Sequence, residues 1–512
     1  MKKIILGLLS LTLCNLLYAQ EPADVLRLGY TNGNGGTARN QAIGGAGASL
    51  GGEFSSLFIN PAGLGFYKTG DLVFTPGYSF KNNKSTYLGN SGEAKNNNFN
   101  MGASGVVFSS PTRSNSIPYI SIALGINKTA DFNNQIYYKG LNKSSSYSQK
   151  YIQELKNANA TDPGDVAKNF PETSSLAFNT FLINPVFSGA DSAITGYKSV
   201  VNPALGITQE NNISTTGGIT DLSLGAGANV ADKWYFGGSL SLPIVTYDRR
   251  ATYSETDASG DPQVDFNYFK SSETLSTKGM GVNGKLGIIY KPVESVRFGL
   301  AVHTPTFYQL TDNWQTRIET GLKSLPNGFL FQNSTDLDIT KGYPLETRYN
   351  VTTPWKLMAS GTFIFNQAKD VQQQRGFLTA DVEYVNYGSM AIHDGDNNPD
   401  AKTYYSQLNQ VMKNLYKDAV NVRIGSEVKF NTLMVRLGGA YYGNPYKNQD
   451  ANVVKVSGGL GYRNRGMFID LTYVQSMTKD INYPYQLEGT NNVPAFLKNN
   501  GGSIMATIGF KI

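Results

Sequence analysis

The segment "AVNVRIGSEVKF", Ala419 to Phe430, alternates from end to end. Val420, Val422, Ile424, Val428 and Phe430 share one face; Asn421, Arg423, Gly425, Glu427 and Lys429 share the other. Period two with one apolar face describes a β-strand. The pattern returns in "LTADVEYV" (378–385), in "LMVRLGGAYY" (433–442) and in the final "GGSIMATIGFKI", where Ile504, Ala506, Ile508, Phe510 and Ile512 align. In each, the second face carries charge and glycine. Strands of soluble sandwiches usually run about 5–6 residues. These runs reach about 10–12, the length a tilted strand needs to cross a bilayer. A chain that ends inside such a strand fits closure of a barrel, which leaves no exposed sheet edge.

Composition narrows the setting. Lys2 and Lys3 precede an apolar run from Ile4 to Leu17, and Ala19-Gln20 follows as a small-residue cleavage point. Residues 1–19 therefore read as a secretory signal peptide. Cys14 is the only cysteine, and the bulky Leu13 before it disfavours a lipid-modified cysteine. An exported chain of 512 residues without a disulfide needs its own core or a membrane. No later stretch offers the ~20 apolar residues of a spanning helix. Low charge (16%) with 55 Gly, 31 Tyr and 26 Phe favours β-structure. A net charge of +6, reduced by two lysines on cleavage, argues against a nucleic-acid partner.

The alternating runs fall near 71–82, 97–109, 117–130, 216–231, 232–248, 276–291, 294–310, 342–366, 374–388, 418–430, 431–442, 451–464, 465–476 and 500–512. Keeping 342–366 whole, with Pro354 as a kink, makes fourteen, and bacterial single-chain barrels have even strand numbers. The expected class is all-β, a 14-stranded antiparallel transmembrane barrel over 71–512. Long loops are expected near 131–215, 249–275, 311–341 and 389–417, the first with two short helices, one starting at Asp162-Pro163.

Residues 20–70 do not alternate. "TARNQAIGGAGASLGGEFSSLFINPAGLG" mixes glycine, alanine and serine with Leu50, Phe54, Leu57, Phe58, Ile59, Leu64 and Phe66, too apolar for a solvated tail. Such a segment suits a confined lumen, and the rigid Asn60-Pro61 turn would fix a hatch that feeds the first strand. Here the sequence resembles the FadL/TodX-type outer-membrane transporters of long-chain fatty acids and other hydrophobic compounds. The resemblance rests on the GGAG-like run followed by the Asn60-Pro61-Ala62 turn. It extends through "LGIIYKPVESVRFGLAVHTP", "TPWKLMASGTFIF", "ADVEYVNYGS", "VNVRIGSEVKF" and "VRLGGAYYGNPY". It implies a hatch closing the lumen, with Asn60, Pro61, Ala62 and Gly63 as its turn. It also implies a hydrophobic ligand caught by the outer loops, and release by hatch movement or through a lateral gap in an interrupted third strand. "NKTADFNN" (127–134) is the matching break here, and an ordinary strand end before a long loop is the plainer reading.

Alternation puts Arg297, Arg423, Arg436 and Lys455 on the polar, lumenal face, where any of them can orient a carboxylate head. The plainer alternative pairs them with Asp381, Glu383, Glu427 and Asp470. The two histidines, His303 and His393, stand near no nucleophile motif, so no enzyme is expected. His393, Asp394 and Asp396 read as turn formers, and no metal or cofactor is expected. The expected partners are a hydrophobic small molecule and outer-membrane lipid. The expected place is the outer membrane of a Gram-negative bacterium. A closed barrel needs no second subunit, so a monomer is expected. Two alternatives stand beside transport: a protein-docking or anchoring component of a secretion pathway, and an open aqueous porin, which the apolar plug disfavours.

Overall fold

The computed structural model describes residues 20–30, 35–114, 116–189, 193–365, 375–448 and 451–512. The expected signal peptide lies outside the described residues. Fourteen strands form the wall. The first three are interrupted: β1 (Asp71–Phe74 and Pro76–Tyr87), β2 (Asn90–Met101 and Ser104–Pro111) and β3 (Tyr119–Asp131 and Asn134–Asn142). Three long strands follow: β4 (Ile207–Val230), β5 (Trp234–Asp257) and β6 (Phe266–Val293). Three more are interrupted: β7 (Val296–His303 and Phe307–Leu322), β8 (Leu345–Thr352 and Lys356–Phe365) and β9 (Gly376–Val385 and Ala391–Asp394). The last five are β10 (Ala419–Phe430), β11 (Leu433–Tyr442), β12 (Val453–Asn464), β13 (Met467–Asn482) and β14 (Ala495–Lys511). Each pairs antiparallel with the next, and β14 returns to β1 through Leu72↔Phe510 and Gly77↔Met505. The interruption at 353–355 surrounds Pro354, which cannot donate to a ladder.

Burial is inverted relative to a soluble sheet. On β10, Val420, Val422 and Ile424 are 46%, 43% and 51% exposed, whereas Asn421, Arg423 and Glu427 are 3%, 8% and 7% exposed. The apolar face looks outward and the charged face inward, as a lipid solvent demands. Trp234, stacked on Tyr290 at 4.2 Å, sits on the outer face beside the tight turn at Ala231-Asp232. That is the interfacial aromatic position of a membrane barrel.

The strands extend further than the alternation indicates. Much of the loops expected at 249–275 and 311–341 is strand: β5 runs to Asp257, β6 begins at Phe266 and β7 ends at Leu322. The expected loop at 131–215 likewise yields Asn134–Asn142 to β3 and its end to β4. In these extensions both faces carry polar residues, so period two fades although the ladder continues. Above them sit α4 (Ser148–Asn157), α5 (Pro163–Asn169) and α6 (Ser174–Asn179). Asp162 caps α5 by accepting from Gly164 N at 2.7 Å, and Pro163 occupies the first turn. Tyr151, Leu155 and Leu176 of this cap pack on Phe269 and Ile318 of the wall.

The lipid face gives a direct test. Leu437→Arg, at a side chain 65% exposed on β11, is expected to destabilise the barrel by about 2–4 kcal/mol in urea titrations in lipid vesicles. The cap gives another. Glu172, between α5 and α6, is 2% exposed, and neither carboxylate oxygen has a hydrogen-bond partner among the described residues. Burial pushes its carboxyl from 4.5 up to about 7, outweighing the nearby Ser334 and Thr316 hydroxyls. Its neutral form suits the fold, so this contribution is complete below about pH 4.5 and is lost as pH rises through 7. Proteolysis within 143–206 in intact outer membranes is expected to be faster at pH 8 than at pH 5, and Glu172→Gln should remove the difference.

Candidate functional site: the occluded lumen

The residues before β1 form three short helices, α1 (Pro22–Gly29), α2 (Ala38–Ala42) and α3 (Ser56–Ile59), and a 3-10 turn over Pro61–Phe66. Asn60 builds that turn. Its side-chain oxygen accepts from Ala62 N at 3.1 Å, and Pro61 needs no donor at the first position. The Asn60 amide then reaches Ala48 O at 2.6 Å, Leu300 O at 3.3 Å and Ile288 O at 3.4 Å, tying the turn to β6 and β7. One residue earlier, Ile59 O lies 2.7 Å from His303 Nε2. A carbonyl only accepts, so Nε2 carries the proton. Asp381 receives Gly47 N at 3.0 Å and Ala48 N at 3.2 Å. Arg39 of α2 reaches both oxygens of Glu427, at 3.1 and 3.2 Å.

Glycine on the inner wall makes this fit possible. A Cβ at Gly237 would stand 2.2 Å from Pro61 C, at Gly287 1.7 Å from Asn60 Oδ1, and at Gly299 2.6 Å from Ala48 O. On the far side, Gly425 and Gly438 would meet Ile43 O at 2.3 Å and Gly44 N at 2.1 Å. Five strands thus give up an inward side chain where the segment passes. At the long-loop end α1 lies against α7 (Pro399–Leu415), with Val25 and Leu26 in one core with Tyr405, Leu408 and Met412. Tyr404 Oη donates to Gln20 O at 2.9 Å, and Gln20 Nε2 to Asp312 at 2.8 Å.

The four lumenal cations have separate surroundings. Arg436 is fully buried and spans Glu427 and Asp470 at 2.6 Å each. Arg297 donates to Leu50 O and lies 4.5 Å from the Phe66 ring. Neither borders the two lumenal cavities: Arg436 is paired with two wall carboxylates, and Arg297 donates to the N-terminal segment while its Nε finds no hydrogen-bond partner among the described residues. Arg423 pairs with Glu383 at 2.8 Å and still borders a cavity of about 170 Å³ with Lys285, His303 and Lys356. Lys455, 5.7 Å from the Tyr442 ring, borders a second of about 200 Å³ with Lys81, Lys128 and Asp131. Gly35 and Gln41 line both. Among the described residues no three His, Cys, Asp or Glu side chains converge as metal ligands, and His393 pairs with Asn350 across strands.

The wall beside the second cavity is discontinuous. β3 stops at Asp131, resumes at Asn134 and slips register against β4 between Lys128 and Ala130. Above it, Asn90–Met101 of β2 pairs with β1 alone among the described residues; the ladder with β3 starts at Ser104↔Ile126. Side chains of β1 bridge the seam: Lys81 to Asn133 O at 2.6 Å, Asn83 to Gln135 O at 2.5 Å, and Ser85 to Tyr137 O at 2.6 Å. An outer cavity of about 390 Å³ lies against the break, and Asn100, Met101 and Lys128 line both it and the lumenal one.

No family model matches the sequence, and no curated protein matches it significantly. Solved structures do. A Pseudomonas aeruginosa FadL homologue superposes with a TM-score of 0.53, at 13% identity over 94% of this chain and 99% of its own. The fold is that of the FadL/TodX-type channels. The Ralstonia pickettii toluene transporter TbuX (TM-score 0.51, 15% identity, 94% and 100% covered) and the P. putida toluene transporter TodX (0.50, 13%, 94% and 99%) share it. The FadL/TodX-type fold agrees with the resemblance carried by the Gly-rich run and the Asn60-Pro61-Ala62 turn.

Sequence reasoning missed His303 as an anchor and Arg39 as a tie. The inward glycines were visible as part of the polar face, but nothing in one strand says what stands opposite. Gly287→Ala is expected to leave the barrel folded while displacing Asn60, at a cost of about 1–3 kcal/mol. Faster cleavage of residues 35–66 by protease added to detergent-solubilised protein would report it.

Proposed function

We propose that this chain is a passive conduit in the outer membrane of a Gram-negative bacterium for long-chain fatty acids or similar hydrophobic compounds. In this reading residues 20–70 act as a hatch and the seam beside β3 as a lateral exit. The observation that carries it is the row of cavities from the lumen past Gly35 and Gln41 to the break at Asp131–Asn134. A lumen closed along its axis but bordered by a broken wall favours sideways exit into lipid. The solved relatives of this fold include toluene transporters, which supports a hydrophobic cargo.

The energetics agree. Each buried methylene contributes about 0.8 kcal/mol, so an acyl chain gains affinity from apolar surface alone. Its head needs only one or two donors, and Arg423, Lys356 and Lys455 border the route. The seam is held by side-chain contacts in place of a ladder, and so is the cheapest part of the wall to open.

The test measures uptake of labelled oleate by cells lacking their own transporter. Wild type is expected to restore uptake, and folded Asn60→Ala to lose it. An Asn83→Cys/Asn134→Cys pair, whose native side chains meet at 2.6 Å, should lose uptake when bridged by a reducible thiol cross-linker and regain it on reduction. Full uptake by the bridged barrel would exclude the lateral route. No uptake by a correctly inserted wild type would exclude this cargo and shift weight to a protein-docking role.

A further inference from the structure

A cavity of about 520 Å³ lies below the N-terminal segment, inside the short-turn mouth of the barrel. It falls within the ~300–1,000 Å³ typical of small-molecule sites, whereas the 170 and 200 Å³ lumenal cavities do not. A single helical turn separates them: Arg39 of α2 borders the mouth, and Asn40 and Gln41 border the lumen.

The mouth is amphipathic. Phe54 and Tyr67, both buried, and the partly buried Phe468 supply aromatic surface. Its charged groups are mostly engaged. Arg39 is held by Glu427, Asp71 by Lys511 at 3.0 Å, and Asp470 by Arg436; Glu53 accepts from Ser55 N at 2.9 Å. Arg463 differs from these by its dehydrated donor. Its Nε is shut off from water without a hydrogen-bond partner, and its side chain forms no ion pair among the described residues. Its guanidinium stands 5.4 Å from the Phe468 ring. A guanidinium with a dehydrated, unmatched donor gains more from an incoming anion than a solvated surface lysine does.

We propose that the short-turn mouth is a second binding site, on the far side of the hatch, for a single-chain amphiphile with an anionic head. Arg463 takes the head, and the Phe54–Phe468 wall takes the first methylenes. The inference rests on the conduit reading and adds to it an axial station, reached when α2 yields, alongside the lateral exit.

The experiment uses the purified full-length barrel with a photoreactive palmitate, its diazirine close to the carboxylate, and with the matching alcohol; labelled peptides are mapped by mass spectrometry. Palmitate is expected to label peptides containing Phe54 and Phe468. Arg463→Gln should lower that labelling about tenfold while lumenal labelling near Lys356 persists, and the alcohol should match the drop. Arg463→Lys should retain part of it, and Lys233→Gln, on an exposed short turn outside the cavity lining, all of it. Label confined to the lumen, or mouth labelling indifferent to Arg463→Gln, overturns the second site and leaves the conduit standing. Inorganic phosphate that displaces the label as well as unlabelled palmitate does at equal concentration makes the mouth a soluble-anion site and also overturns it. No label anywhere in a folded barrel rejects both readings.

Discussion

In hydrocarbon every backbone N–H and C=O must find a partner within the protein, and most of this architecture follows from that demand. A sheet meets it only by closing, so β14 returns to β1. Closure gives each strand a lipid face and an enclosed face, and the side chains sort accordingly. Leu, Val and Ile go outward, and Asp, Glu, Arg and Lys are brought together inside. The charges then need partners, since an unpaired ion in an enclosed space is costly.

The N-terminal segment completes that interior. Arg39 shares Glu427 with Arg436, Asp381 accepts from Gly47 and Ala48, and His303 donates to Ile59. Barrel and segment therefore satisfy one another. A filled lumen is compatible with a channel only if the filling is held by contacts that can be exchanged. Here they are hydrogen bonds and van der Waals contact against glycine, with no covalent tie beyond the junction at Asp71. At Gly237 and Gly438 backbone presses against backbone, with no side chain interposed.

The wall is weakest where the closure demand is relaxed. Between β2 and β3 the ladder lapses, and lysine, asparagine and serine side chains of β1 stand in for strand pairing. Such contacts satisfy the carbonyls of β3 while remaining individually replaceable by water or by a ligand. A permanent defect and a closed wall thus coexist, one beside the polar lumenal cavity and the other around the rest of the circumference.

Local order is what the sequence by itself determined. The alternation in Ala419–Phe430 and its repeats yields strands and their inside-out polarity, and the even-number rule for barrels settles the count at fourteen. Asn60-Pro61 marks a rigid turn, and Asp162-Pro163 a helix start. These readings succeed because neighbouring residues alone establish them. Where both faces turn polar, as at the ends of β5, β6 and β7, the same signal fails although the strands continue. Only the tertiary structure decided which lumenal cation meets which carboxylate, that Arg297 donates to Leu50 O while the Arg463 Nε finds no acceptor among the described residues, and that Gly287 stands opposite Asn60. The wall pairs cross from one strand to another, 9 to 40 positions apart, and the contacts with the N-terminal segment span 247 and 388 positions; barrel closure with its stagger brings them together, and no single strand encodes that stagger.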